Sequence, residues 1–318
     1  MIDAARVEDA REALCGVAVR TPLLYVDALG AYLKLENLQP MGAFKIRGAY
    51  NAIRLLPEPV RRPGVITYSS GNHGQAVAYA ARYLGLRAVI VMPETVPSIK
   101  KTGVERWGGE VVLAGRTSDD RQRVAEAIAA RDALAIIPPF DHPDIVAGQA
   151  TVALEIVQDL PDVGTVVAPV GGGGLISGVV VGLRAARSTA RVWGVEPSGA
   201  PKLQQSLAQG RPTRLERTAS LADGLITLGV GEIPFQELMY DRQRLAGVAL
   251  VDDDSLREAM HFLWRECRLA VEPSGAATVA AVRAGGVPVR ASAASAPTVL
   301  IVSGGNIDPA LLQDPTTA

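Results

Sequence analysis

The sequence predicts an α/β protein in which a mostly parallel sheet carries helices on both faces. Three observations predict it. The chain has 318 residues, enough for two domains or one large α/β unit. Its 48% hydrophobic and 20% charged residues lie close to globular averages, which argues against a disordered, collagenous or disulfide-scaffold chain. Short β-branched runs alternate with helix-length amphipathic segments, the pattern of successive βαβ units.

In chain order, buried strands are expected at residues 65–68, 88–92, 110–113, 165–170, 192–195 and 298–302. Amphipathic helices are expected at 75–84, 119–131, 145–160 and 255–267, with a further helical run from Arg47. Residues 164–183 are uncharged, but seven glycines and a proline make a poor membrane-spanning helix. That stretch divides instead into a strand TVVAPV, a loop GGGG and a helix LISGVVVGLRAA. No fixed-period repeat or low-complexity tract is present.

The formal net charge of −1 gives no reason to expect nucleic acid or an anionic membrane as a partner, which leaves small molecules or proteins. Cys15 and Cys267 are too few for a disulfide framework and read as small buried hydrophobes in a reducing, cytoplasmic compartment. The acidic start MIDAARVEDAREAL is unlike a secretory signal peptide. Only five of the 32 basic residues are lysines: Lys34, Lys45, Lys100, Lys101 and Lys202. Each is worth attention, because an amine, unlike a guanidinium, forms imines and loses its proton on burial.

Parallel sheets bind ligands where strand ends meet helix starts. Three such junctions stand out. SSGNHGQ, residues 69–75, opens a helix, and its free N–H groups would favour an anion; an N-cap turn is the alternative. Gly171, Gly172, Gly173 and Gly174 lie between strand and helix, where consecutive N–H groups and the helix dipole would attract a phosphate; a merely flexible run is the alternative. No Lys-Ser or Lys-Thr follows, so this is not a Walker loop. SGGN, residues 303–306, ends the last strand and is a turn or a third ligand loop. Lys45, set among Met41, Ala43, Phe44 and Ile46, is the amine whose surroundings would desolvate it and free its lone pair. Lys100 and Lys101 read as a solvated pair. His142 and His261 have no ligand neighbours at metal spacing and read as structural, while His73 belongs to the first loop.

The segments around Lys45, residues 69–75, 171–174 and 303–306 resemble, in order and spacing, the pyridoxal-phosphate enzymes of fold type II, and among them the serine/threonine dehydratases and serine racemases. DHPDIVAGQATVALEI, LADG and VEPSGAA support the resemblance, which covers nearly the whole chain. It implies two parallel-sheet α/β domains with the active site between them. One is a large cofactor-binding domain from residues 1–63 and 142–318, the other a small mobile domain from 64–141. It implies pyridoxal 5'-phosphate as cofactor, a small hydroxy amino acid as substrate and a homo-oligomer, a dimer.

Carried over residue by residue, the resemblance makes Lys45 the Schiff-base lysine and Phe44 its ring-packing neighbour. Asn72 would bond the phenolic oxygen, the four glycines the phosphate, and Ser303 the pyridine nitrogen. Ser69, Ser70, Gly71, Asn72 and His73 would receive the substrate carboxylate, with Ser70 on the face opposite Lys45. Lys45 would take the α-proton, and loss of the β-hydroxyl would lead to a 2-oxo acid and ammonia. A serine at the ring nitrogen would favour β-elimination over transamination. The expected activity is that of an L-threonine/L-serine ammonia-lyase. Alternatives are a serine racemase with side elimination, a 3-hydroxyaspartate dehydratase, or a noncatalytic ligand-binding α/β protein. The string SSGNHGQAV looks more like the racemases and related dehydratases than the biosynthetic threonine deaminases, and Ser303 stands 15 residues from the end, so their C-terminal regulatory domain is not expected. Family members that need a divalent cation supply a glutamate, a carbonyl four residues on and an aspartate six residues on. Here these positions are Glu196, Ala200 and Lys202, so no metal is expected, and Lys202 either pairs with Glu196 or points to water.

Overall fold

The computed structural model describes residues 1–69, 71–96, 98–115, 118–289 and 296–312. Among them the strands are β1 Leu23–Val26, β2 Ala31–Lys34, β3 Val65–Thr67, β4 Ala88–Met92, β5 Glu110–Leu113, β6 Ala135–Ile136, β7 Thr165–Pro169, β8 Arg191–Pro197, β9 Leu245–Val251 and β10 Thr298–Ile301. They form a six-stranded sheet in the order β1-β2-β10-β7-β8-β9 and a four-stranded sheet in the order β5-β4-β3-β6. Every pairing is parallel except the edge pair β1 and β2.

Side chains alternate across each strand, so both sheets bury two faces. On β10, Val299 and Ile301 join Val166, Ala168 and helix Gly174–Ala185, while Leu300 joins Val167 and helix Pro273–Arg283 on the other side. On β4, Ile90 and Met92 face one core and Val89 and Val91 the other. Strands covered on both faces read as unbroken apolar runs, which is why these were expected.

The strands that were not expected lack that pattern. β1 exposes Leu24 and Tyr25, β6 has two residues, and β2 ends in a lysine whose burial depends on distant partners. In β9, Gly247 interrupts the run because the Trp193 ring fills the place of its side chain. Helix Pro273–Arg283 is buried from residue 273 through 281, so it has no polar face to give a helical period. Helix Asn72–Tyr83 begins three residues before the expected start at 75.

Helix Lys45–Leu55 joins the two parts. Ile46, Ala49, Tyr50 and Ile53 pack into the core of the small sheet, and Phe44, just before it, packs into the core of the large one. Fully burying one such Ile contributes about 1.5–3 kcal/mol. On its other side Arg47 is buried between Glu36 and Glu155, at 2.8 and 2.7 Å, and Lys34 Nζ meets Glu155 at 2.6 Å. Two expectations need correction. Cys15 is exposed and Cys267 is partly exposed, because each sits at or just past a helix end rather than on a core face. Lys100 pairs with Asp223 across the space between the sheets, so only Lys101, beside Glu105, matches the solvated reading. No described helix is long and apolar enough to cross a membrane.

Candidate active site

Lys45 is the first residue of its helix. The turn before it is joined to the loop after β10: the Phe44 N–H donates to the Ser303 carbonyl at 3.1 Å, and Ala43 bridges Gly304. Lys45 Nζ donates to the Pro139 carbonyl at 2.7 Å and lies 5.3 Å from the centre of the Phe44 ring. Among the described residues no carboxylate pairs with it, and desolvation pushes the amine down to about 8.

Phe140, next to Pro139, leads to the glycine loop. A Cβ on Gly172 would enter the Phe140 ring, and one on Gly171 would meet the Gly224 carbonyl oxygen at 2.7 Å. Gly173 has φ +92°, a left-handed conformation that favours glycine, and caps helix Gly174–Ala185 without a side-chain hydrogen bond. Among the described residues, the N–H groups of these four glycines find no acceptor in the protein. Unsatisfied N–H groups at a helix start form a site for a phosphate dianion.

The loop of residues 69–75 opens another helix. Gly71, the N-cap residue of helix Asn72–Tyr83, gives no side-chain cap. The Gly71 N–H meets Ser69 Oγ at 3.3 Å. Ser70 lies outside the described residues. His73 is buried, and its Nε2 meets the Ile137 carbonyl at 3.1 Å. Desolvation, and after it the nearby charge of Lys45, pushes His73 down to about 3, so the ring is neutral with its proton assigned to Nε2.

Asn72 donates from Nδ2 to Glu272 Oε1 at 2.5 Å and accepts at Oδ1 from Asn306 Nδ2 at 2.7 Å. Ser303 is buried, and its Oγ faces the Ser274 carbonyl at 3.4 Å, while Ser274 Oγ accepts from the Gly224 N–H at 2.9 Å. Lys45 meets Pro139 and the glycine loop meets the adjacent Phe140; Gly171 leads through Gly224 and Ser274 to Ser303, and Asn72 stands against Gly304, the next residue, so these expected site residues gather in one place. Glu196 and Lys202 lie apart, beneath the glycine loop. Lys202 Nζ is fully buried and bonded to Glu196 Oε1, the Ala200 carbonyl and the Val170 carbonyl at 3.1, 3.0 and 2.9 Å. Its amine therefore pairs inside rather than pointing to water.

Glu272, Asn306 and Pro139 stand at the same convergence and were not singled out. Glu272 had a signal, an acid just before the proline that opens a helix in VEPSGAA; Asn306 had a weaker one in SGGN. Pro139 contributes only a backbone oxygen, which no sequence pattern marks.

A family model described as pyridoxal-phosphate dependent enzyme matches residues 16–304. An L-threonine ammonia-lyase of Thermotoga maritima is 38% identical over 97% of this chain and 76% of its own length. An L-threo-3-hydroxyaspartate ammonia-lyase of Saccharomyces cerevisiae is 37% identical over 91% of this chain and 87% of its own. The solved structure of maize serine racemase superposes with a TM-score of 0.90 at 34% identity, covering 98% of this chain and 95% of that one. The residues present fit the cofactor these matches imply, since unpaired N–H groups suit its phosphate and a partly desolvated amine suits its aldehyde. The chain belongs to the fold type II pyridoxal-phosphate-dependent enzymes, in the group of ammonia-lyases and amino-acid racemases.

Proposed function

We propose that the chain is a dehydratase of L-threonine and L-serine that releases a 2-oxo acid and ammonia. The observation that carries this reading is Lys45, an amine whose hydrogen-bond partner among the described residues is a carbonyl oxygen and whose pKa is pushed down to about 8 by desolvation. When bound, pyridoxal phosphate supplies a carbonyl for the substrate amine and a ring that withdraws electrons from the α-carbon. Lys45 anchors the cofactor and afterwards holds the proton taken from the α-carbon, which a pKa near 8 allows at neutral pH. The N–H groups of residues 171–174 hold the phosphate. Asn72 and Ser303 would serve the ring oxygen and nitrogen, and the N–H groups at the start of helix Asn72–Tyr83 would receive the substrate carboxylate.

The wall beside Lys45 supports a hydrogen or methyl at the β-carbon. It consists of Phe44 and Pro139, with Phe140 next in the chain, so a second substrate carboxylate would meet apolar surface. We assign residues 1–63 and 142–318 to the part that holds the cofactor and 64–141 to the part that closes over the substrate. In support, β3 to β6 all fall within 64–141, and the Lys100 to Asp223 pair spans the two parts. The test is to incubate the holoenzyme with L-Thr, L-Ser, D-Ser and the 3-hydroxyaspartates, measuring oxo-acid release and enantiomer exchange. Oxo acid from L-Thr and L-Ser should dominate. Faster turnover of a 3-hydroxyaspartate, or racemisation outrunning elimination, would overturn the reading.

A further inference from the structure

Glu272 is a buried carboxyl for which the proposed reaction has no use, and its contacts lead to Asn72. It stands immediately before Pro273, the first residue of helix Pro273–Arg283. Gly304 makes room for it, since a Cβ there would run into Glu272 Oε1. A primary amide has two N–H donors and one oxygen. Glu272 takes one N–H of Asn72 at 2.5 Å, and Asn306 donates to the oxygen at 2.7 Å. Asn306 is itself held, because its Nδ2 also donates to the Met41 carbonyl at 2.9 Å. Flipping the Asn72 amide would set oxygen against carboxyl oxygen and N–H against N–H. One orientation survives, and in it one N–H of Asn72 has no acceptor among the described residues.

We propose that Glu272 is a positioning residue that acts through Asn72: together with Asn306 it locks the amide so that the remaining N–H is presented to the phenolic oxygen of pyridoxal phosphate. The proposal rests on the cofactor placement above and not on the choice of amino-acid substrate. A donor fixed before the cofactor arrives loses no rotational freedom on binding, which is how preorganisation adds affinity. The groups around Glu272 are consistent with an acceptor role. Burial, and after it the charge of Asp223, pushes its carboxyl up to about 7, opposed by the Asn72 hydrogen bond and by Lys100, which is itself paired with Asp223. Protonated or not, the carboxyl keeps an oxygen that accepts from Asn72.

The experiment measures the dissociation constant of pyridoxal phosphate and the position of the visible band of the reconstituted enzyme, with no amino acid present. Failure of the threonine/serine reading therefore leaves it untouched. Glu272→Leu removes the acceptor and should weaken cofactor binding about tenfold and shift the band, with the melting temperature changed by only a few degrees. Glu272→Gln keeps an acceptor oxygen and should stay within about threefold of the unmutated enzyme. In an Asn72→Ala background, Glu272→Leu should add less than about twofold. Asn306→Ala should repeat this pattern, and it decides the matter if Glu272→Leu does not fold. Equal losses with and without Asn72, or Gln as damaging as Leu, would overturn the proposal.

Discussion

Arg47 and Lys45 stand two residues apart on one helix, yet the protein treats their charges in opposite ways. Arg47, with Lys34 and Lys202, is among the largest fully buried side chains, and each of the three meets a carboxylate. Lys45 keeps some exposure, and among the described residues its hydrogen-bond partner is a carbonyl oxygen rather than a carboxylate. The difference teaches what separates a structural cation from a reactive one. Against the desolvation that burial imposes, the charge of Arg47 holds Glu36 below the usual carboxylate range, so both members of that pair stay ionised. Without such a counter-charge, desolvation prevails at Lys45 and the amine gives up its proton more easily.

The largest effect should come from Lys45. Lys45→Ala should fold and yet lose turnover by about 10³-fold or more, because the group that anchors cofactor and proton is gone. Borohydride reduction of the unmutated holoenzyme followed by mass spectrometry should place the cofactor on Lys45; label on Lys34 or Lys202 would erase the contrast.

Next comes the paired side of the comparison. Arg47→Met leaves Glu36 and Glu155 buried with too little positive charge, and should cost about 3–5 kcal/mol. The shift of the urea midpoint measures it. A loss below about 1 kcal/mol would mean that the cluster behaves like a surface ion pair.

Lys202 offers a sharper version. Lys202→Met strands Glu196 beneath the glycine loop and should cost about 3 kcal/mol, whereas adding Glu196→Gln to the same chain should recover part of that loss. The unmutated enzyme should keep its activity in EDTA, since the ammonium already lies between Glu196 and the Ala200 carbonyl. Inhibition by the chelator with recovery on adding Mg²⁺ would show that Lys202 does not fill that place.

The last effect is a pH dependence. In the cofactor-free chain the folded Lys45 amine has a lower pKa than its ordinary 10.5, so the unfolded chain binds more protons between about 8 and 10.5. Stability should therefore rise with pH across that window, and Lys45→Met should flatten the rise. Urea midpoints taken from pH 7.5 to 10 test this, and an identical slope in both proteins would remove Lys45 as its source.

Much of this was legible locally. A strand covered on both faces must be apolar throughout, so β3, β4, β7 and β10 stood out as runs. A glycine loop between a strand and a helix marks an anion site because backbone geometry alone exposes its N–H groups. Lys45 was readable because its apolar neighbours are neighbours in sequence.

What the sequence by itself determined is thus the order of elements and the residue types at their junctions, both set by backbone periodicity and by side chains a few positions apart. The tertiary structure decided who partners whom. Asn72 finds Glu272 200 residues away and Asn306 234 residues away, Lys45 finds the carbonyl of Pro139 94 residues away, and Lys34 is paired by Glu155 across 121 residues. A buried polar group is tuned by whichever charge or hydrogen bond lies within a few ångströms, and that proximity is set when helices and sheets from distant parts of the chain pack together.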